Sequence, residues 1–189
     1  MALRSSWLKV PWRRAELRRH DPYWDFFIAT PPADRANSVL DVIRTAPEGN
    51  VFPAKADLHT PEVTTSHVKE MARYLGADLV GITALENDDA GHPFAIVCAM
   101  RADVDPREAP GIGGQVPVQN GLFVTFVLGA WIRELGFRAS MAVSPDAARL
   151  AAAAKLGTLD RTGKLATAEY GTRVHLADVI RTDLPLVPA

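Results

Sequence analysis

"LVGITALENDDAGHPFAIVCAM" (79–100) is the stretch on which the fold turns. Leu79–Ala84 is a short apolar run and Phe94–Met100 a second. Between them Asp88, Asp89 and Gly91 are turn formers. Two such runs joined by a short polar link predict an antiparallel hairpin. The second run reads as a buried strand, and it carries Cys98, the chain's single cysteine. One cysteine excludes an internal disulfide and any cysteine-ligated zinc or iron–sulfur site within these residues. A thiol in a buried strand is expected to be inert.

The pattern extends on both sides of the hairpin. Thr60 caps a helix, Pro61 takes its first position and Glu62 complements its dipole. Val63, Val68, Met71, Ala72 and Leu75 then share one face at helical spacing, and Gly76 is the expected left-handed stop. Beyond the hairpin, 101–116 reads as a loop and 118–135 as a helix that is apolar around most of its circumference. Such a helix is buried in the core or across an interface between chains, which predicts a homodimer or a heteromer. A strand over 137–143, an alanine-rich helix over 146–154 and a last strand over 174–180 complete the order. Helices and strands in this order predict an α+β domain over 60–189, its mainly antiparallel sheet flanked by helices. Residues 1–59 read as an N-terminal arm and connector: basic at first, aromatic at Tyr23–Phe27, with a short helix from Asp34 to about Ala46.

Composition sets further bounds. The chain has 189 residues, 48% of them hydrophobic, and a net charge of -1, which suits one soluble domain with no field that would draw nucleic acid. Arg4, Lys9, Arg13, Arg14, Arg18 and Arg19, beside Trp7 and Trp12, are the local exception. Such a segment can bind a membrane surface or an acidic partner, or pack on the body or on a second subunit. There is no apolar run long enough to span a membrane and no apolar leader core, so a cytoplasmic location is expected.

The candidate chemistry concentrates near the C-terminus. "GTLDRTGKLATAEYGTRVHLADVIRTDLPL" (157–186) places Gly157, Gly163 and Gly171 where tight turns allow close backbone approach to a ligand. Thr167 adds a hydroxyl, Arg161 and Arg173 offer two-pronged grips for phosphate or carboxylate, and Tyr170 is a candidate catalytic proton donor. Composition serves equally a loop that ties the last strand to the sheet. Gly111–Gly114 lacks phosphate-loop spacing and reads as a surface loop that can line a pocket. The five histidines show no metal-ligand spacing, no metal site is expected, and there is no serine-hydrolase elbow.

"VTTSHVKEMARYLGADLVGITAL" (63–85), "FAIVCAMRADVD" (94–105) and "AAAAKLGTLDRTGKLATAEYGTRVHLADVIRTDLPL" (151–186) together resemble the cobalamin-binding core of reductive dehalogenases and, more distantly, epoxyqueuosine reductase. The resemblance implies a nitroreductase-like fold and a corrinoid held largely by backbone contacts, its nucleotide tail tucked in. In that family the run ending "TDLPL" leads into a ferredoxin-like module with two [4Fe-4S] clusters, whereas Leu186 stands three residues before the end of this sequence. The usual "GLG" is Lys155-Leu156-Gly157 and the usual "TPE" is Thr167-Ala168-Glu169. Three readings follow: a cobalamin-binding module without its own iron–sulfur clusters, working with a separate electron-transfer protein or as a corrinoid carrier; a non-catalytic partner or assembly subunit that keeps the fold; and an FMN-dependent nitroreductase-like oxidoreductase.

Overall fold

The structure is a computed structural model that describes residues 21–32, 39–86, 88 and 90–189. The basic N-terminal segment, Asp34 and Asp89 lie outside the described residues. The elements run α1 (Pro22–Ala29), α2 (Val39–Thr45), α3 (Pro61–Leu75), β1 (Leu79–Ala84), β2 (Phe94–Arg101), α4 (Val116–Glu134), β3 (Ala139–Ala142), α5 (Ala147–Ala153), β4 (Thr158–Leu159), β5 (Leu165–Ala166), β6 (Val174–Leu176) and β7 (Val179–Thr182).

The hairpin forms as expected, with β1 antiparallel to β2 from Leu79↔Ala99 to Ala84↔Phe94. The main sheet has the order β1-β2-β7-β3, with β6 also paired to β2, and every pairing in it is antiparallel. The molecule is therefore α+β with a mainly antiparallel sheet flanked by helices. Alternation sorts the side chains into two layers. Val80, Ile82, Ile96, Cys98, Met100 and Ile180 meet Val68 and Ala72 of α3 and Val124, Leu128 and Ile132 of α4. On the other face Val97 meets Ala151 of α5 and Leu165 of β5. Gly81 lies opposite Val97, and a Cβ there would stand 2.7 Å from the Ala154 Cβ. That glycine lets α5 close onto the sheet.

The last strand differs from the single run expected over 174–180. Ile96 pairs with Ile180 while Ala99 pairs with Leu176, so Val97 and Cys98 oppose three residues, 177–179. This one-residue β-bulge separates β6 from β7. It also keeps His175, opposite Met100, on the same face as Ile180, although the two stand an odd number of residues apart.

α3 has the caps read from sequence: the Thr60 hydroxyl accepts from the Val63 N–H, and Gly76 is left-handed at φ 118°. α4 begins two residues before its expected start and is buried within this chain through Leu122, Val124, Leu128 and Ile132. Its Arg133 is buried and donates Nη1 to the Ala139 carbonyl at 2.9 Å, while the Glu48 Oε1 accepts the Met141 N–H at 3.0 Å. These two side chains occupy backbone groups of β3, the edge strand of the sheet, and blunt it against further pairing.

The aromatic stretch at 23–27 is helical, which the sequence reading did not anticipate. Asp21 caps α1 and Pro22 opens it. The helix buries no residue fully. Its C-terminal end docks on the glycine-rich loop, where Gly111 N–H donates to the Ile28 carbonyl at 2.7 Å and Gly113 N–H to the Phe27 carbonyl at 3.0 Å. A Cβ at Gly113 would lie 2.3 Å from the Phe27 ring, and one at Gly111 2.4 Å from the Phe27 carbonyl oxygen. Those glycines accommodate the chain's own helix.

Candidate functional site

A cleft of about 710 Å³ lies at the end of the sheet, along β6. Among the described residues β6 pairs only with β2, so no strand lies on its other edge. Arg173 accepts from the Ala102 N–H and Ala177 donates to the Cys98 carbonyl. Alternation of the ladder then turns the N–H and C=O groups of Val174 and Leu176 away from β2, toward the open edge. Both residues line the cleft, as do the loop from Ala102 to Arg107, Gln115 and Val118 at the start of α4, Ala148 of α5, and Gly163–Leu165. Apolar walls with a few converging polar groups and free main-chain groups suit a ligand of mixed polarity.

Charges gather at the rim. Asp105 takes Arg107 Nη2 at 2.8 Å and stands 3.6 Å from Lys164 Nζ, so a loop and a hairpin on two sides of the cleft share one carboxylate. Hydrogen bonds from Arg107 hold the Asp105 carboxyl well below the usual carboxylate range. Arg173 lines the cleft, is exposed, and has no ion-pair partner among the described residues. His175 lies deeper. Burial holds its imidazole below the ordinary histidine value; Arg44 acts in the same direction, and Asp178 and Asp105 oppose it.

The residues singled out from sequence divide into three groups. Gly163 and Arg173 border the cleft. Gly163 has φ 79° and closes the turn between β4 and β5, with Arg161 exposed at the tip. The Asp160 carboxylate organises that turn, taking the Thr162 N–H at 2.8 Å and the Lys164 N–H at 2.9 Å. Thr167, Tyr170 and Gly171 form a second tight turn outside the cleft lining. Thr167 and Gly171 exchange two main-chain hydrogen bonds of 2.9 Å, and the Thr167 hydroxyl accepts the Tyr170 N–H at 3.1 Å. The hydroxyl is thus engaged by its own loop. A hydrogen bond with Glu169, then burial, pushes the Tyr170 phenol up to about 12, so it is protonated across neutral pH. Gly157 stands apart: a Cβ there would lie 2.3 Å from the Ala166 carbonyl oxygen, so the close approach it permits is to β5.

His175, Lys164, Asp105, Arg107 and Gln115 line the cleft without having been singled out as site residues. Only the alternation of "TRVHL" about Arg173 and His175 hinted that these two share a face. No cluster of three or more potential metal ligands occurs among the described residues. No described helix is long and apolar enough to cross a membrane.

The fold is one shared with reductive dehalogenases. A reductive dehalogenase whose structure was solved with a mechanism for B12-dependent dehalogenation superposes with a TM-score of 0.69 at 25% identity, over 80% of this chain and 24% of its own. The catabolic reductive dehalogenase NpRdhA gives 0.67 at 24% identity, over 80% of this chain and 23% of its own. Selenomethionine-labelled epoxyqueuosine reductase gives 0.50 at 15% identity, over 67% of this chain and 47% of its own. The chain thus spans about a quarter of the length of these dehalogenases. No protein-family model and no curated protein matches it.

Proposed function

We propose that the chain is a corrinoid-binding module of a reductive dehalogenase-like system, receiving electrons from a separate protein or carrying the corrinoid to one. The observation that carries this reading is the cleft on a dehalogenase-like fold, walled on one side by the open edge of β6. Free main-chain groups there match the amides of an amphiphilic macrocycle, and Arg173 matches the phosphate of a nucleotide tail. At about 710 Å³ the cleft is of the size that encloses drug-sized ligands. It therefore takes the tail, and the macrocycle extends past these walls.

Gly163 forms the β4–β5 turn that borders the cleft, while Lys164 and Arg107 hold Asp105 at its mouth. Arg161, Thr167, Gly171 and Gly157 shape the neighbouring hairpin and turn. Tyr170, protonated at neutral pH, is the candidate proton donor to a substrate outside the cleft lining. A bound corrinoid supplies redox chemistry at cobalt. With one buried cysteine, these residues cannot ligate the cluster that would reduce it, so the reducing equivalents come from elsewhere.

The test is reconstitution. Purified protein mixed with cobalamin and desalted is expected to retain a corrinoid absorption spectrum, and Arg173→Ala to weaken binding about tenfold or more, as for loss of a charge-assisted contact. Colourless protein with no retained corrinoid overturns the proposal, and a fluorescent flavin spectrum in the protein as purified points to flavin. The partner-subunit reading has one supporting feature: α1 displays Tyr23 and Phe26, 66% and 67% exposed, on a helix with no buried residue.

A further inference from the structure

We propose that Arg173 and His175 form a proton-linked clamp for an anionic group in the cleft. This rests on reading the cleft as the ligand site. The chain is extended here, since Arg173 accepts from Ala102 and His175 is in register with Met100. Residues two apart on a strand project from one face, about 7 Å apart. Both line the cleft. Among the described residues, neither side chain has a hydrogen-bond or ion-pair partner. The other rim cations are committed to Asp105. The two free basic groups of the cleft therefore stand side by side, one permanently charged and one able to gain a charge.

The charged groups facing His175 are Asp178 beside the bulge, Arg44 of α2 and Asp105 of the loop after β2. Without ligand, burial favours the neutral imidazole. An anion seated between the two side chains adds a negative charge next to the ring and favours imidazolium. Binding then takes up a proton onto His175, and affinity rises as pH falls from the bound-state pKa toward the free-state one. The group recognised is a phosphate or carboxylate: either the phosphodiester of a corrinoid's nucleotide tail or a free acid.

The experiment is calorimetric titration of the full chain with cob(II)alamin, anaerobically at pH 6.5, in buffers of different ionisation enthalpy. Proton uptake on binding is expected, and His175→Gln removes it while leaving the complex formed. The His175 ring signals, followed by NMR in the complex with diamagnetic cob(III)alamin, shift to a higher pKa. Cobinamide, which lacks the phosphodiester, binds without uptake if the tail is the anion. Inorganic phosphate that displaces cobalamin and itself causes uptake identifies a general anion site. Binding without uptake in the wild type, or uptake unchanged in His175→Gln, overturns the clamp and leaves corrinoid binding standing. Absence of any binding by either corrinoid or phosphate overturns both.

Discussion

Lys155 is the one described non-glycine residue with positive φ, at 57°. It follows α5, where its N–H donates to the Ala152 carbonyl and the Leu156 N–H to the Ala151 carbonyl. This is a left-handed helix cap, a place where glycine avoids the clash of Cβ with the backbone. The resemblance to the dehalogenase core places a glycine here, and the cap geometry accounts for it. Lys155→Gly is expected to stabilise the protein by about 0.5–1 kcal/mol, raising the thermal midpoint by a few degrees. A fall in midpoint on differential scanning calorimetry would mean that the lysine has a compensating contact. Asp88 is the second informative residue. Its Oδ2 meets His92 Nδ1 at 2.8 Å and its Oδ1 meets Arg181 Nη1 at 2.5 Å, in a side chain that is 4% exposed. The His92 N–H bond, with the ring and Arg181 adding to it, lowers the carboxyl from 3.8 to about 2. A folded value below the unfolded one stabilises fully above the unfolded pKa, and that contribution is lost as pH falls through the folded one. Stability should therefore drop between about pH 4 and pH 2, and Asp88→Asn should flatten that limb while costing about 1–3 kcal/mol at neutral pH. Urea titrations across that range measure both.

Elements differ in how far they were legible. The β1–β2 hairpin and α3 were, because apolar period, cap and turn residues all lie within a few positions of one another. α1 was not. Asp21 and Pro22 are start signals in the sequence, but "PYWDFFIA" has no apolar stripe set against a polar one, so periodicity stays silent. Its helix is held by two main-chain bonds to a loop more than eighty positions away. The same distance hid the role of Gly111 and Gly113. Gly111→Ala should detach α1 without unfolding the sheet, since its Cβ meets backbone that cannot yield. Limited proteolysis should then cut within 21–32 faster than in the wild type, with the circular dichroism of the core unchanged; equal rates would show that docking does not depend on this contact. The cleft was legible only in part. Arg173 and Gly163 sit in a segment rich in turn residues, whereas His175 acquires its place through pairing with Met100, which no local pattern records.

For the whole molecule, two layers pack on one antiparallel sheet and, among the described residues, leave its end along β6 open to the cleft. β3 covers the outer edge of β7 but stops short of β6, and that step is where the cleft opens. α4 buries Leu122, Val124, Leu128 and Ile132 inside this chain and leaves Phe123 48% exposed. The additional residue opposite Val97 and Cys98 gives this end its character. Were one codon lost from 177–179 while β7 kept its register, the parity of the preceding strand would invert. Arg173 and His175 would swing under α5, Val174 and Leu176 would take their places, and the chain would trade a polar mouth for a greasy one while every helix kept its address.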